Sequence, residues 1–192
     1  MGRIPKHAKK VFEGNIFSTW QWDQECYDGS TQVFEGLSRP DYGTAVGVLD
    51  SKEILLAWDE QPDRKPLLTS IGGRIEADET PEAGAAREFR EETGYEVGEL
   101  RPWFTYTPSG KIDFSVYMYI ARDLKKVGEP QLDVGERIEL RTFSFEDFLR
   151  LGNSSSKDLD GPLRDWELRI RLLEAQLDKE KQGELYSLLY KD

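Results

Sequence analysis

The residues best suited to chemistry are three glutamates in one short stretch, Glu88, Glu91 and Glu92. At about 100° per residue of a helix, these spacings place all three carboxylates within an arc of about 100°. Like charges so close destabilise a helix unless a cation lies among them, and hard divalent cations bind oxygen ligands. The alternative is an ordinary solvated acidic face, since 33% of the residues are charged.

The segment that carries these glutamates is predicted to form a helix from Thr80 to Thr93. Thr80 can cap its start, Pro81 suits the first helical position, and Gly94 follows the last turn. Apolar alternation predicts a leading hairpin with its turn at Asp28-Gly29. The predicted strands are residues 16–22, 31–37, 44–49, 53–58, 96–106, 113–121 and 137–143. One helix between strands on both sides indicates a mixed sheet with helical cover.

The C-terminal part is predicted to be a loop over residues 152–156 followed by an amphipathic helix. Apolar residues recur there at steps of three and four: Leu163, Trp166, Ile170, Leu173 and Leu177. We favour packing of this helix on the same domain, with a separate partner-binding helix as the alternative. The expected organisation is an N-terminal β extension (1–40), a catalytic domain (41–151), and a linker with the C-terminal helix (152–192).

Composition removes several classes of function. The chain has 192 residues with one cysteine, Cys26, and one histidine, His7, which argues against a disulfide framework and most histidine or cysteine catalysis. A net charge of −11 argues against binding to nucleic acid or an anionic membrane. No stretch is apolar enough for a membrane helix, and no signal peptide is apparent, so a cytoplasmic protein is expected.

The glutamates belong to a longer pattern. Gly73, five residues, Glu79, seven residues and then the segment from Arg87 to Tyr95 match the Nudix box at every fixed position. The chain therefore resembles the Nudix hydrolases. The resemblance implies an α/β fold, an α/β/α sandwich with a mixed β-sheet, and hydrolysis of a pyrophosphate bond with Mg²⁺, or Mn²⁺ as a substitute.

The resemblance also implies roles for individual residues. Glu88 and Glu92 would be the main metal ligands, Glu91 would assist them, and the carbonyl of Gly72 would complete the set. Glu79 and Arg87 would form the internal pair that orients the carboxylates. Outside the box, we consider Glu136 as a catalytic base, with an ordinary surface glutamate as the alternative.

Flanking segments indicate the subgroup. The stretches that resemble ADP-ribose pyrophosphatases are residues 28–30, 34–35, 39–41, 45–49 and 132–139. The basic segment common before their box is replaced here by Trp58-Asp59-Glu60-Gln61-Pro62, and Pro108 lies thirteen residues after Tyr95 rather than about fifteen. The expected substrate is ADP-ribose or a nucleotide sugar. A nucleoside-triphosphate pyrophosphohydrolase and a non-catalytic nucleotide-sugar sensor are the alternatives.

Three further residues are candidates for substrate binding. Arg39 lies in one of the segments that resemble ADP-ribose pyrophosphatases. Trp20 and Trp22 point to one face of a strand and could stack on a base, although a core or dimer contact is the favoured interpretation. Aromatic density before Pro40 predicts a homodimer that pairs through the N-terminal strands, with the protein's own sheet as the alternative partner of these rings.

Overall fold

The computed structural model describes residues 4–62, 64–108, 110–153 and 163–191. The strands are β1 (Lys9–Glu13), β2 (Ser18–Glu25), β3 (Thr31–Ser38), β4 (Tyr42–Val48), β5 (Ile54–Gln61), β6 (Arg64–Thr69), β7 (Ile71–Arg74), β8 (Tyr95–Glu96), β9 (Glu99–Tyr106), β10 (Ile112–Asp113), β11 (Val116–Arg122), β12 (Lys125–Lys126) and β13 (Arg137–Phe143). The helices are α1 (Pro81–Thr93), α2 (Phe145–Arg150), α3 (Trp166–Leu177) and α4 (Lys179–Tyr190).

The central sheet has the order β13-β5-β4-β11-β9, with β6 added to β5 and β7 added to β4. It is mixed, since β4 and β11 run parallel while β4 and β5 run antiparallel. β4 pairs with β5 only at Gly47 and Val48, and its first residues pair with β7 instead. The sheet therefore splits between β5–β6 and β4–β7, and this split opens the cleft described below.

Alternate residues of the central strands face two separate cores. Ala45 packs on the α1 side with Ala85 and Phe89. Its neighbour Val46 packs on the opposite side with residues such as Leu168 of α3. Helices thus cover both faces of the sheet, because successive strand residues point to opposite sides. This arrangement confirms the predicted α/β/α sandwich.

Helix α1 begins and ends as the sequence predicts. The Thr80 hydroxyl oxygen accepts a hydrogen bond from the Ala83 N–H at 3.2 Å. Gly94 adopts φ +70°, which favours glycine, and its N–H donates to the Arg90 carbonyl. A Cβ on Gly43 of β4 would lie 3.0 Å from backbone atoms of α1, so the bare glycine lets the helix approach the sheet closely.

The N-terminal region forms a second sheet in the order β1-β2-β3-β10. The predicted hairpin is confirmed, with β2 and β3 antiparallel and Gly29 at φ +80° in the turn. β10 joins the edge of β3 in parallel, so residues well beyond the hairpin extend this sheet.

The C-terminal region differs from the predicted single helix, because α3 and α4 are two helices that meet at Asp178. Both helices pack on the domain, as the favoured interpretation expects. The predicted set of inward-facing apolar residues was wrong, except for Leu163, which is buried. Trp166, Ile170, Leu173 and Leu177 are 37% to 88% exposed, whereas Leu168, Leu172 and Ala175 are buried. Leucines occur around most of α3, so spacing alone did not identify the inner face.

Predicted loop residues 154–156 lie outside the described part of the chain. Within the residues that are described, no helix has the length and apolar character needed to cross a bilayer.

Candidate active site

A cleft of about 470 Å³ opens where the central sheet splits. The cleft is lined by the carboxylates of Glu88, Glu92 and Glu136, which we call the acidic side. Arg39, Arg74 and Arg164 also line the cleft, and we call Arg39 and Arg164 the basic side. One cavity therefore presents both anionic and cationic groups to a bound molecule.

The glycine loop brings the backbone against the carboxylates of α1. A Cβ on Gly73 would lie 2.4 Å from the carboxyl carbon of Glu88, so no larger residue fits without moving that carboxylate. The Gly72 N–H donates to the Glu92 carboxylate at 3.1 Å, and the Gly72 carbonyl accepts a hydrogen bond from the Tyr42 hydroxyl. These contacts explain why two glycines precede the acidic helix.

Arg87 joins several acidic residues through one guanidinium group. Its Nε and Nη2 donate to both carboxylate oxygens of Glu79, at 2.7 and 2.9 Å. Its Nη1 donates to Glu88 at 2.9 Å and to Glu91 at 3.0 Å, while Nη2 also reaches the Arg74 carbonyl. The hydrogen bonds from Arg87 lower the pKa of Glu79 to about 2. The predicted pair of Glu79 and Arg87 thus forms and fixes the base of the acidic side.

Glu92 lies deepest among the box carboxylates. Burial, followed by repulsion from Glu88, raises its pKa to about 9. Burial also raises the pKa of Glu88. Two partly buried carboxylates that disfavour their own charge are a setting in which a bound cation restores the ionised forms.

The donor chemistry of this site fits a hard divalent cation, since carboxylates and a backbone carbonyl are oxygen ligands. In the described ranges, no three acidic, histidine or cysteine side chains converge closely enough to enclose an ion. Glu88 and Glu91 are instead hydrogen-bonded to Arg87.

The two other predicted glutamates, Glu136 and Glu91, differ in their position relative to the cleft. Glu136 lies in the loop before β13 and lines the cleft, where its charge adds to the raised pKa values of Glu88 and Glu92. Its carboxylate accepts a hydrogen bond from the Asp133 N–H at 3.3 Å. Glu91 is not among the described residues that line the cleft, and reaches the site only through Arg87.

Arg39 enters the cleft beneath aromatic rings. Its guanidinium carbon lies 4.9 Å from the centre of the Phe114 ring, 5.8 Å from Phe17 and 6.0 Å from Tyr42. Its Nε atom is buried and has no hydrogen-bond partner among the described residues. The surrounding rings hold the guanidinium group in place beside the cleft.

Trp20 and Trp22 lie on β2 of the N-terminal sheet, and neither is among the described residues that line the cleft. The Trp20 indole N–H donates to the Ser38 hydroxyl at 2.8 Å, and the Trp22 ring contacts Phe34 with centroids 6.3 Å apart. Their proposed role in substrate binding stays a prediction.

Sequence reasoning missed charged residues of the cleft, among them Arg74, Asp59 and Arg164. Asp59 is almost buried on β5, and Arg164 follows the undescribed stretch 154–162. The acidic replacement of the usual basic segment was the available signal for Asp59. No local pattern marks Arg164, because only the tertiary fold brings it to the cleft.

Fold, glycine loop and acidic helix together define a class of hydrolase. The model of the NUDIX domain matches residues 40–160. The chain belongs to the Nudix family and is a Nudix hydrolase, as the box predicts.

Similarity to individual proteins narrows the subgroup to one like the ADP-ribose pyrophosphatases. The chain is 30% identical over 152 residues to the ADP-ribose pyrophosphatase of Bacillus subtilis (strain 168), covering 76% of this chain and 80% of that protein. It is 28% identical to the methanol dehydrogenase activator of Bacillus methanolicus, with coverage of 74% and 79%. A crystal structure of an ADP compounds hydrolase superposes with a TM-score of 0.69 at 19% identity, covering 93% and 94% of the two chains, which shows the shared fold.

Proposed function

We propose that this protein hydrolyses the pyrophosphate bond of ADP-ribose or a related nucleotide sugar to a nucleoside monophosphate and a sugar phosphate. The observation that carries the proposal is that box carboxylates and arginines line the same cleft. A pyrophosphate substrate requires both, since carboxylates suit a cation and arginines suit phosphate oxygens. Similarity to the ADP-ribose pyrophosphatase of B. subtilis supports this substrate class.

The proposal includes a divalent cation, Mg²⁺ or Mn²⁺, held by Glu88, Glu92 and the Gly72 carbonyl, with Glu91 in support. When bound, the cation would neutralise phosphate charge and favour the attacking water. Arg87, fixed by Glu79, would keep the glutamates oriented. Glu136 would accept a proton from the water at the mouth of the cleft, and Arg39 would hold a phosphate oxygen.

The experiment is a product analysis with purified protein and Mg²⁺ against nucleoside diphosphate sugars, nucleoside triphosphates and dinucleoside polyphosphates. Nucleoside monophosphate with sugar phosphate supports the proposal, and nucleoside monophosphate with pyrophosphate supports a triphosphate pyrophosphohydrolase. Tight binding without turnover would support a sensor.

Excess chelator should abolish activity, Mn²⁺ should restore it, and Ca²⁺ should restore it poorly because its larger and looser shell positions water less well. Full activity in chelator would contradict the metal assignment.

We also propose a homodimer that pairs through the N-terminal sheet. Large apolar side chains are exposed on this sheet and its connecting loop, namely Val11, Phe12, Ile16, Phe17, Val33 and Phe34. Exposed aromatic groups of this density are typical of interface centres. Light scattering should give twice the 22.1 kDa of one chain, and a dimer that dissociates on W20S with W22S would support this surface. A concentration-independent mass of 22.1 kDa would reject it.

The domain boundaries and the cytoplasmic location stay predictions.

A further inference from the structure

Arg164 carries positive charge into the cleft from the C-terminal part of the chain. Its Nη1 lies 3.8 Å from a carboxylate oxygen of Asp59, and its side chain is 47% exposed. A direct charge-assisted hydrogen bond is about 1 Å shorter, so Asp59 faces the guanidinium without taking up its donors. The fork of Arg164 is therefore placed but available to another anion.

The backbone on both sides of Arg164 is fixed to the sheet. Its N–H donates to the Leu68 carbonyl at 2.7 Å, and the preceding Leu163 is buried. Asp165 accepts hydrogen bonds from the Ser70 N–H and hydroxyl, both at 2.8 Å, and from the Thr69 hydroxyl at 3.2 Å. This segment is thus anchored at the junction of β6 and β7, immediately before the glycine loop.

Asp165 makes these contacts in place of a common local one. It occupies the N-cap position of α3, yet its side chain makes no capping hydrogen bond there. An N-cap bond typically stabilises a helix, so its omission is a cost. The carboxylate instead holds the chain where Arg164 meets the cleft, which indicates that the position of this segment matters more than the helix start.

The carboxylates of the cleft would repel a diphosphate unless cations lie near them. Asp59 of β5 lines the cleft, and its charge acts on Glu92. Arg164 is the cation that lies beside Asp59. A guanidinium group binds two phosphate oxygens at once, which a lone positive charge does not.

We propose that Arg164 binds a phosphoryl group of the substrate. The inference rests on the proposed function and names a substrate-binding residue for it. Asp59 faces the guanidinium in the free enzyme, and the phosphate accepts hydrogen bonds from the guanidinium when the substrate binds.

The test compares R164Q and R164K with R150Q. Arg150 also belongs to the C-terminal half, but its side chain is paired with Asp147 and lies outside the described lining of the cleft. Calorimetry with ADP and Mg²⁺ gives Kd, and steady-state hydrolysis of ADP-ribose gives kcat and KM. We expect R164Q to raise Kd and KM at least about tenfold with kcat changed less than about threefold. R164K should recover part of the loss, and R150Q should match the wild type.

The measurements distinguish a failure of the role of Arg164 from a failure of the proposed function. Active wild-type enzyme with unchanged Kd and KM in R164Q overturns the role of Arg164 alone. A decrease in kcat with KM unchanged also overturns the role of Arg164. The same holds for a loss of activity that is fully explained by thermal unfolding of R164Q and R164K. Wild-type protein that neither binds ADP nor hydrolyses ADP-ribose overturns the proposed function, and this inference with it.

Discussion

The two sides of the cleft are assembled by different means. On the acidic side, Glu88 and Glu92 come from one helix, and the glycine that contacts Glu92 lies only 20 positions away in sequence. On the basic side, Arg39 precedes β4, and Arg164 depends on hydrogen bonds between residues 95 and 96 positions apart. The carboxylates of Glu88 and Glu92 are a product of one local segment, whereas Glu136 and the arginines depend on the tertiary fold.

This difference separates two kinds of change in the protein. Alterations in α1 act on the groups proposed to promote hydrolysis. Alterations in the segment around Asp165 move a cation without touching α1. A family that keeps one helix and varies distant segments can therefore change its substrate while keeping its chemistry.

The first test of this contrast removes charge from the acidic side. We expect E92Q to lower kcat for ADP-ribose by about 100-fold or more, because the buried carboxylate is a proposed metal ligand and glutamine keeps its volume. E91Q is the matched comparison on the same helix and should lose about tenfold or less, since Glu91 reaches the site through Arg87. Near-normal turnover of E92Q at saturating Mg²⁺ would contradict the assignment.

A second test concerns the group that organises the acidic side. R87K replaces a fork that binds three carboxylates with a point charge, so we expect the free energy of unfolding to fall by about 1–3 kcal/mol. R150K changes an exposed arginine that is paired with Asp147, and should leave stability nearly unchanged. Urea denaturation of both variants measures the difference. Equal midpoints would show that the Arg87 network contributes little to stability.

A third test uses the close contact at the glycine loop. G73A introduces a Cβ at 2.4 Å from the Glu88 carboxyl carbon, so the carboxylate must move and kcat should fall about tenfold. G128A is the control, because a Cβ there meets nothing within 4 Å. Steady-state kinetics of the two variants decides the question, and equal kcat values would mean that the position of Glu88 is not critical.

The smallest expected effect is on stability without metal. The pKa of Glu92 is about 9 in the fold against an ordinary 4.5, so its ionisation opposes folding increasingly as pH rises between these values. In chelator at about pH 8, E92Q should therefore raise Tm by about 2–4 °C, and by less at about pH 5. Calorimetry at both pH values measures this. A Tm for E92Q at or below that of the wild type at pH 8 would contradict the burial of a destabilising charge.

The contrast between local and tertiary placement explains which features of the protein the sequence predicts and which it does not. Thr80, Pro81 and Gly94 mark the ends of α1 because capping is a local property, and the pair of Glu79 and Arg87 lies eight positions apart. Arg164 has no such marker, since its position follows from Asp165 meeting the far end of β6. Further along α3, Leu168 and Leu173 are equally apolar, and only packing against the sheet buries the first and leaves the second exposed.

The most direct test of the central claim compares one residue from each side in one experiment. Steady-state kinetics of ADP-ribose hydrolysis would be measured for E88Q and R39Q beside the wild type. We expect E88Q to lose mainly kcat and R39Q mainly to raise KM, because Glu88 is a proposed metal ligand and Arg39 is proposed to hold a phosphate oxygen. A normal kcat in E88Q, or a loss in R39Q confined to kcat, would contradict the division of the cleft into a reacting side and a binding side.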